Sequence, residues 1–179
     1  HFDYSKEHAD CSNILHCQED VVVDEFLAPI LRFKNRILKS NPTAHLFYIH
    51  GLSNEACVKA KDNNLSMVVG YGAGDPASYT CKLWMKDLLI YTCQQYGWHS
   101  YEGKAGGKHS AWAKNNICQY FRKWHLDPRI NSMQLEIIYD LRNSKSKAQL
   151  CGECLGGFIE DVVTASHWDS PKNFKPKKF

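Results

Sequence analysis

The chain has 179 residues, with 44% hydrophobic, 12% aromatic and 23% charged residues and a formal net charge of +3. These values fit one globular domain over 1–179 with a full-sized core and irregular ends at 1–12 and 168–179, and they exclude a disordered chain. The charge is too small to call for a nucleic-acid partner, and part of it sits in the tail Lys172, Lys175, Lys177 and Lys178. No apolar run reaches the roughly 18 residues of a membrane span, so no membrane partner is expected.

In chain order, Ile14 to Cys17 reads as the end of a short strand. Asp24 to Lys39 predicts a helix whose Phe26, Ile30, Phe33 and Ile37 share one face, and Asn41-Pro42 stops it. Ala44 to His50 is a continuous apolar strand closed by Gly51, and Ser53 to Lys61 a short helix or loop. Leu65 to Val69 is a buried strand running into Gly70-Tyr71-Gly72-Ala73-Gly74. Tyr79 to Tyr96 is a helix capped by Gly97, and Trp98 to Tyr101 a short strand before the glycine-rich 103–107. Ser110 to Trp124 predicts a helix broken near Pro128, Ser132 to Leu141 a strand, and Leu150 to Ser166 a final helix. Strands alternating with helices predict a three-layer α/β/α fold with a mostly parallel sheet, in which ligands bind beyond the carboxyl ends of the strands.

The chemistry-bearing residues stand at or near those ends. His16-Cys17-Gln18-Glu19 offers a His-x-x-Glu pair, His50 closes an apolar strand, and Glu136 sits in the apolar run Leu135-Glu136-Ile137. Two imidazoles and one carboxylate satisfy three corners of a tetrahedral Zn²⁺ and leave the fourth for water or substrate. His16, Glu19 and His50 are therefore the expected metal ligands, with His8 or Cys17 as the alternative to one of the first two. Glu136 is the expected general base, because an ionisable group in an apolar strand is costly unless used or paired. Each residue also has a plain structural reading: His50 as a core histidine, Glu136 as the partner of Arg129 or Arg142.

Eight cysteines are present, mostly inside apolar segments, which predicts buried thiols and a reducing, cytoplasmic compartment. The even count keeps a secreted disulfide framework as the alternative. Cys151-Gly152-Glu153-Cys154 offers a second function, a thiol or redox protein. Gly70 to Gly74 lacks the spacing of a phosphate-binding loop.

The order of these motifs resembles the N-formylglutamate amidohydrolase family and its relatives, the poly-γ-glutamate hydrolases, which share a zinc-carboxypeptidase-like fold. The matching pieces are His16 and Glu19, Ile49-His50-Gly51, Val69-Gly70-Tyr71-Gly72, Gly106-Gly107, Asn115-Asn116 and Asn131-Ser132-Met133-Gln134-Leu135-Glu136-Ile137, followed by Leu141-Arg142. The resemblance implies a zinc-dependent hydrolase that cleaves an amide beside a free carboxylate, in an N-acyl amino acid, a γ-glutamyl chain or a peptide C-terminus. It also implies a group that holds that carboxylate. Arg122, with Asn116, is the first candidate and Arg129 the second, since a guanidinium grips a carboxylate with two bonds. The alternative is a binding protein on the same fold with a decayed metal site.

Overall fold

The computed structural model describes residues 11–18, 20–124 and 127–165. Four strands, β1 (Ala44–Leu52), β2 (Leu65–Gly70), β3 (His99–Glu102) and β4 (Ile130–Ile138), form one sheet in the order β1-β4-β2-β3. β1 pairs with β4 in parallel and β2 with β3 in parallel, while β2 and β4 run antiparallel. Helices α1 (Ala28–Ser40), α2 (Glu55–Ala60), α3 (Leu83–Gln95), α4 (Ile117–Gln119) and α5 (Lys145–Thr164) flank it. The expected mixed α/β architecture is thus observed. Among the described residues no helix is long and apolar enough to cross a membrane.

β4 organises the molecule. All nine of its residues are buried, as befits a central strand. Its odd residues Met133, Leu135 and Ile137 meet Met67 and Val69 of β2, Met85, Leu88 and Leu89 of α3 and Leu155, Phe158 and Val162 of α5 in the larger core. Its even residues face the other side. There Ile130 joins Leu27, Ile117 and Phe121 at one end, and Ile138 joins Leu52 and Leu65 at the other. Between these apolar ends lie Ser132, Gln134 and Glu136, only 1%, 4% and 6% exposed. Burial of polar groups is tolerated where they find partners, so this strip marks the face on which chemistry should be sought.

Several elements depart from expectation. Ile14–Gln18 is a 3₁₀ turn rather than a strand end, because the Asn13 side chain accepts the Leu15 N–H at 3.1 Å and folds the chain back. A π-turn at Val23–Leu27 precedes α1. Phe26 and Ile30 of the expected face pack on the smaller core together with Leu27, Leu31 and Leu38, whereas Phe33 is 64% and Ile37 40% exposed and Lys34 is buried in their place. α1 ends where expected: the Asn41 backbone and side-chain N–H groups both donate to Ile37 O. α3 begins at Leu83 rather than Tyr79, because Thr80 is held on β4, donating from its hydroxyl to Ser132 O at 2.7 Å. Gly97, at φ +74°, follows α3 as expected.

The helix expected over Ser110 to Trp124 shrinks to α4 and a following π-turn, Tyr120–Trp124. The final helix begins five residues before Leu150, capped by Ser144, which places Cys151 and Cys154 inside it rather than at its start. Both are buried against Cys93 of α3. None of the eight cysteines, all among the described residues, forms a disulfide. Burial pushes the Cys151 thiol up, whereas a hydrogen bond with Cys154 lowers the Cys93 thiol.

Candidate functional site

An open cleft of about 710 Å³ lies on the polar face of β4. Its floor is Gln134 and Glu136, and its edges include His50 to Ser53 of β1 and the following turn, Ala56 and Lys59 of α2, Ser12 and Asn13, and residues of the 103–116 loop. His50 stands opposite Glu136 in the parallel register of β1 and β4. The ends of these two strands therefore converge as the parallel-sheet rule requires. β2 runs the other way, so Gly70 pairs with Gln134 and the turn after it leaves in the opposite direction.

A chain of side chains fixes the carboxylate. Asn116 Oδ1 accepts the Cys118 N–H at 2.9 Å, capping α4, while its Nδ2 donates to Gln134 Oε1 at 2.8 Å. Gln134 Nε2 then donates to Glu136 Oε1 at 2.6 Å. Each amide is oriented by the partner before it, so the chain delivers a hydrogen-bond donor to the buried carboxylate. Glu136 Oε2 accepts no hydrogen bond among the described residues and remains available to a ligand or water.

His109 closes the site from above, with its Nδ1 3.2 Å from Glu136 Oε1. Its position is built into the backbone. A Cβ on Gly70 would meet His109 O at 2.5 Å, and one on Gly103 would meet it at 2.6 Å, so only glycine lets the loop settle there. Ser110 O accepts the Gly72 N–H, and Gln119 Nε2 donates to Ala111 O at 2.8 Å. Ala111 is held at φ +57°, a left-handed conformation that costs about 1–2 kcal/mol for a residue with a Cβ.

The wall opposite α2 is knitted by asparagines. Asn13 bridges Asn116 through the backbone, and Asn115 Nδ2 donates to Asn13 Oδ1 at 2.8 Å. At the rim, Lys59 and Lys108 are exposed and make no ion pair among the described residues. Among the described residues Glu136 is the only carboxylate lining the cleft, and two ammonium groups overlook it.

The structure brings together only part of the expected set. Glu136, His50 and Asn116 line the cleft. His16 lies on the exposed turn beside it, its Nε2 3.4 Å from the side-chain nitrogen of Asn13. Glu19 and His8 lie outside the described residues, and Cys17 is buried in the smaller core. Among the described residues, no group of three or more His, Cys, Asp or Glu side chains is placed to hold a metal. Arg129 precedes β4, at the strand end far from Glu136, and grips Asp127 with two bonds of 2.9 and 2.8 Å. That pairing holds the Asp127 carboxyl down at about 2. Arg122 sits in the π-turn after α4, outside the lining of the cleft. Neither arginine is positioned to hold a ligand in the cleft. Asn116 has both ends engaged and serves to position Gln134. Lys59 and Asn13 were missed by sequence reasoning, which fixed on guanidinium groups. A lysine beside the strand-end histidine, on the short helix after β1, was the available signal.

No family model matches the chain, and no curated protein matches it by sequence. Among solved structures, the fold is similar to N-formylglutamate amidohydrolase from Ralstonia eutropha JMP134, with a TM-score of 0.56 and 16% identity over 78% of this chain and 50% of that one. A looser likeness, to a zinc-free apo form of YNDL, has a TM-score of 0.41 and 14% identity over 66% of this chain and 54% of that one. The chain spans about half the length of both. The first likeness shows a shared fold.

Proposed function

We propose that the cleft hydrolyses an amide bond in a substrate that carries a free carboxylate. The observation that carries this reading is Glu136: a buried carboxylate on a central strand, oriented by Gln134 and Asn116, with one oxygen left to the cleft. A carboxylate so held is suited to take a proton from water at the moment the water attacks a carbonyl. Lys59 and Lys108 give the rim its positive charge and are the groups we assign to the substrate carboxylate, in place of Arg122 and Arg129. The substrate named for the Ralstonia protein, N-formylglutamate, carries free carboxylates of the kind this rim suits.

Zinc belongs to this reading. We assign it to His50, which lines the cleft, to His16 on the turn that carries Asn13, and to Glu19, the third donor implied by the sequence pattern; two imidazole nitrogens and one carboxylate are a donor set whose chemistry suits zinc. When bound there, zinc would polarise the carbonyl and make its water acidic. The residues of the chain do the rest. Glu136 receives the proton, Gln134 fixes which oxygen does so, and the lysines orient the substrate. The test is hydrolysis of a panel of N-formyl, N-acetyl and γ-glutamyl amino acids by wild type and Glu136→Gln, with zinc supplied. Turnover by wild type and a loss of about 10²-fold or more in the variant is expected. No turnover on any member would overturn the reading.

A further inference from the structure

Glu136 can take a proton from water, but the departing nitrogen must also gain one, and the geometry points to His109 as the group that gives it. We propose that His109 is the general acid of the site, an inference that rests on the hydrolase reading above. Three observations carry it. The ring stands 3.2 Å from Glu136 Oε1 through Nδ1 and still lines the cleft, with 35% of the side chain exposed. Nδ1 is buried and makes no aligned hydrogen bond, so the exposure of the side chain belongs to the rest of the ring, which includes Nε2. The backbone that carries the ring is fixed by two glycines, by Gln119 and by the left-handed Ala111, a degree of support that a solvated loop histidine does not need.

His109 begins protonated on both nitrogens, paired through Nδ1 with ionised Glu136. Water loses one proton to Glu136 Oε2 as its oxygen bonds to the carbonyl carbon. The carbon–nitrogen bond then breaks, and Nε2 of His109 gives its proton to the leaving nitrogen. The acid and amine products depart from a neutral imidazole and a neutral carboxyl. A proton passing from Glu136 to His109 through a water in the cleft restores the starting state. No other reactant is required. Dividing the two proton transfers between two groups also removes the need for Glu136 to reach both faces of the reacting carbon.

The test is the dependence of rate on the leaving group, measured with a series of γ-L-glutamyl anilides whose ring substituents run from p-nitro to p-methoxy. A p-nitroaniline leaves with little help, whereas a basic aniline needs its proton. His109→Gln is expected to lose about 10²-fold or more on the p-methoxy member and only a few-fold on the p-nitro member. Glu136→Gln should lose on every member, because each needs an activated water. Circular dichroism and thermal melting confirm that both variants fold. A uniform loss across the series in His109→Gln would mean that the histidine only shapes the loop, and would overturn the proposal. A wild type that cleaves no member overturns the hydrolase reading itself, and this role with it.

Discussion

Gln134 and Glu136 sit two residues apart on the same face of β4, and the amide of one donates to the carboxylate of the other at 2.6 Å. Side chains two apart on a strand point the same way, so the pair is local in sequence, yet its orientation comes from Asn116 on another element. Gln134→Leu removes the donor and leaves the buried carboxylate and the Asn116 amide without their shared partner. Loss of a buried hydrogen-bond partner costs about 1–3 kcal/mol. We expect a lower urea midpoint of that size and a fall in kcat, with substrate affinity little changed. An unaltered midpoint would show that the chain of amides carries no weight.

Gly70 and Gly103 hold His109 by their lack of a Cβ. Gly70→Ala and Gly103→Ala should each displace the loop from the carboxylate, lowering activity while leaving the larger core packed. Crystallography or amide exchange across 103–116 checks this, and an unmoved loop in both variants would contradict it.

Much of the architecture was readable from the chain because the relevant signals are local. The apolar runs of β1, β2 and β4, the glycine after α3 and the Asn41 stop each state their structure within a few residues. His50 and Glu136 were readable for the same reason, as polar groups at or in apolar strands. What was not readable depends on distant partners. The antiparallel run of β2 against β4 has no mark in either strand. Ser110 to Asn116 has helical spacing, but Gly70, Gly103 and Gln119 pull it into a loop. The same contacts bring His109 to Glu136 from 27 positions away in the chain, which no spacing rule exposes. Arg129 misled because its charge is visible in sequence, whereas its capture by Asp127 is visible only in space.

Lys59 and Lys108 approach the cleft from α2 and from the loop. Replacing either with Gln should raise KM for a carboxylate substrate by about tenfold, the effect of one charge-assisted hydrogen bond at the low end of its range, and leave kcat nearly unchanged. The double variant should lose most of its sensitivity to salt. A fall in kcat alone would place the lysines in the chemistry rather than in binding.

His45 gives the fold a pH dependence of its own. Burial lowers its pKa from 6.5 to about 4, and its ring lies between Thr43 and Asn131 as a neutral group. The unfolded chain binds this proton more readily, so the contribution is fully present above pH 6.5, declines as pH falls and is lost by about 4. Urea unfolding of wild type should weaken across that window, and His45→Gln should flatten the slope there. The Asp127–Arg129 pair acts lower, as Asp127 is protonated toward about 2, and does not mask it. An identical slope in wild type and variant would contradict the assignment.

The most direct test of a zinc-dependent hydrolytic cleft is the metal content of the purified chain, measured by plasma mass spectrometry on wild type and His50→Ala after both are offered zinc. About one zinc per wild-type chain is expected, with its loss in a variant that still folds. A wild type that takes up no zinc, or a His50→Ala that retains it, would contradict the claim that this strand-end histidine anchors a metal beside Glu136.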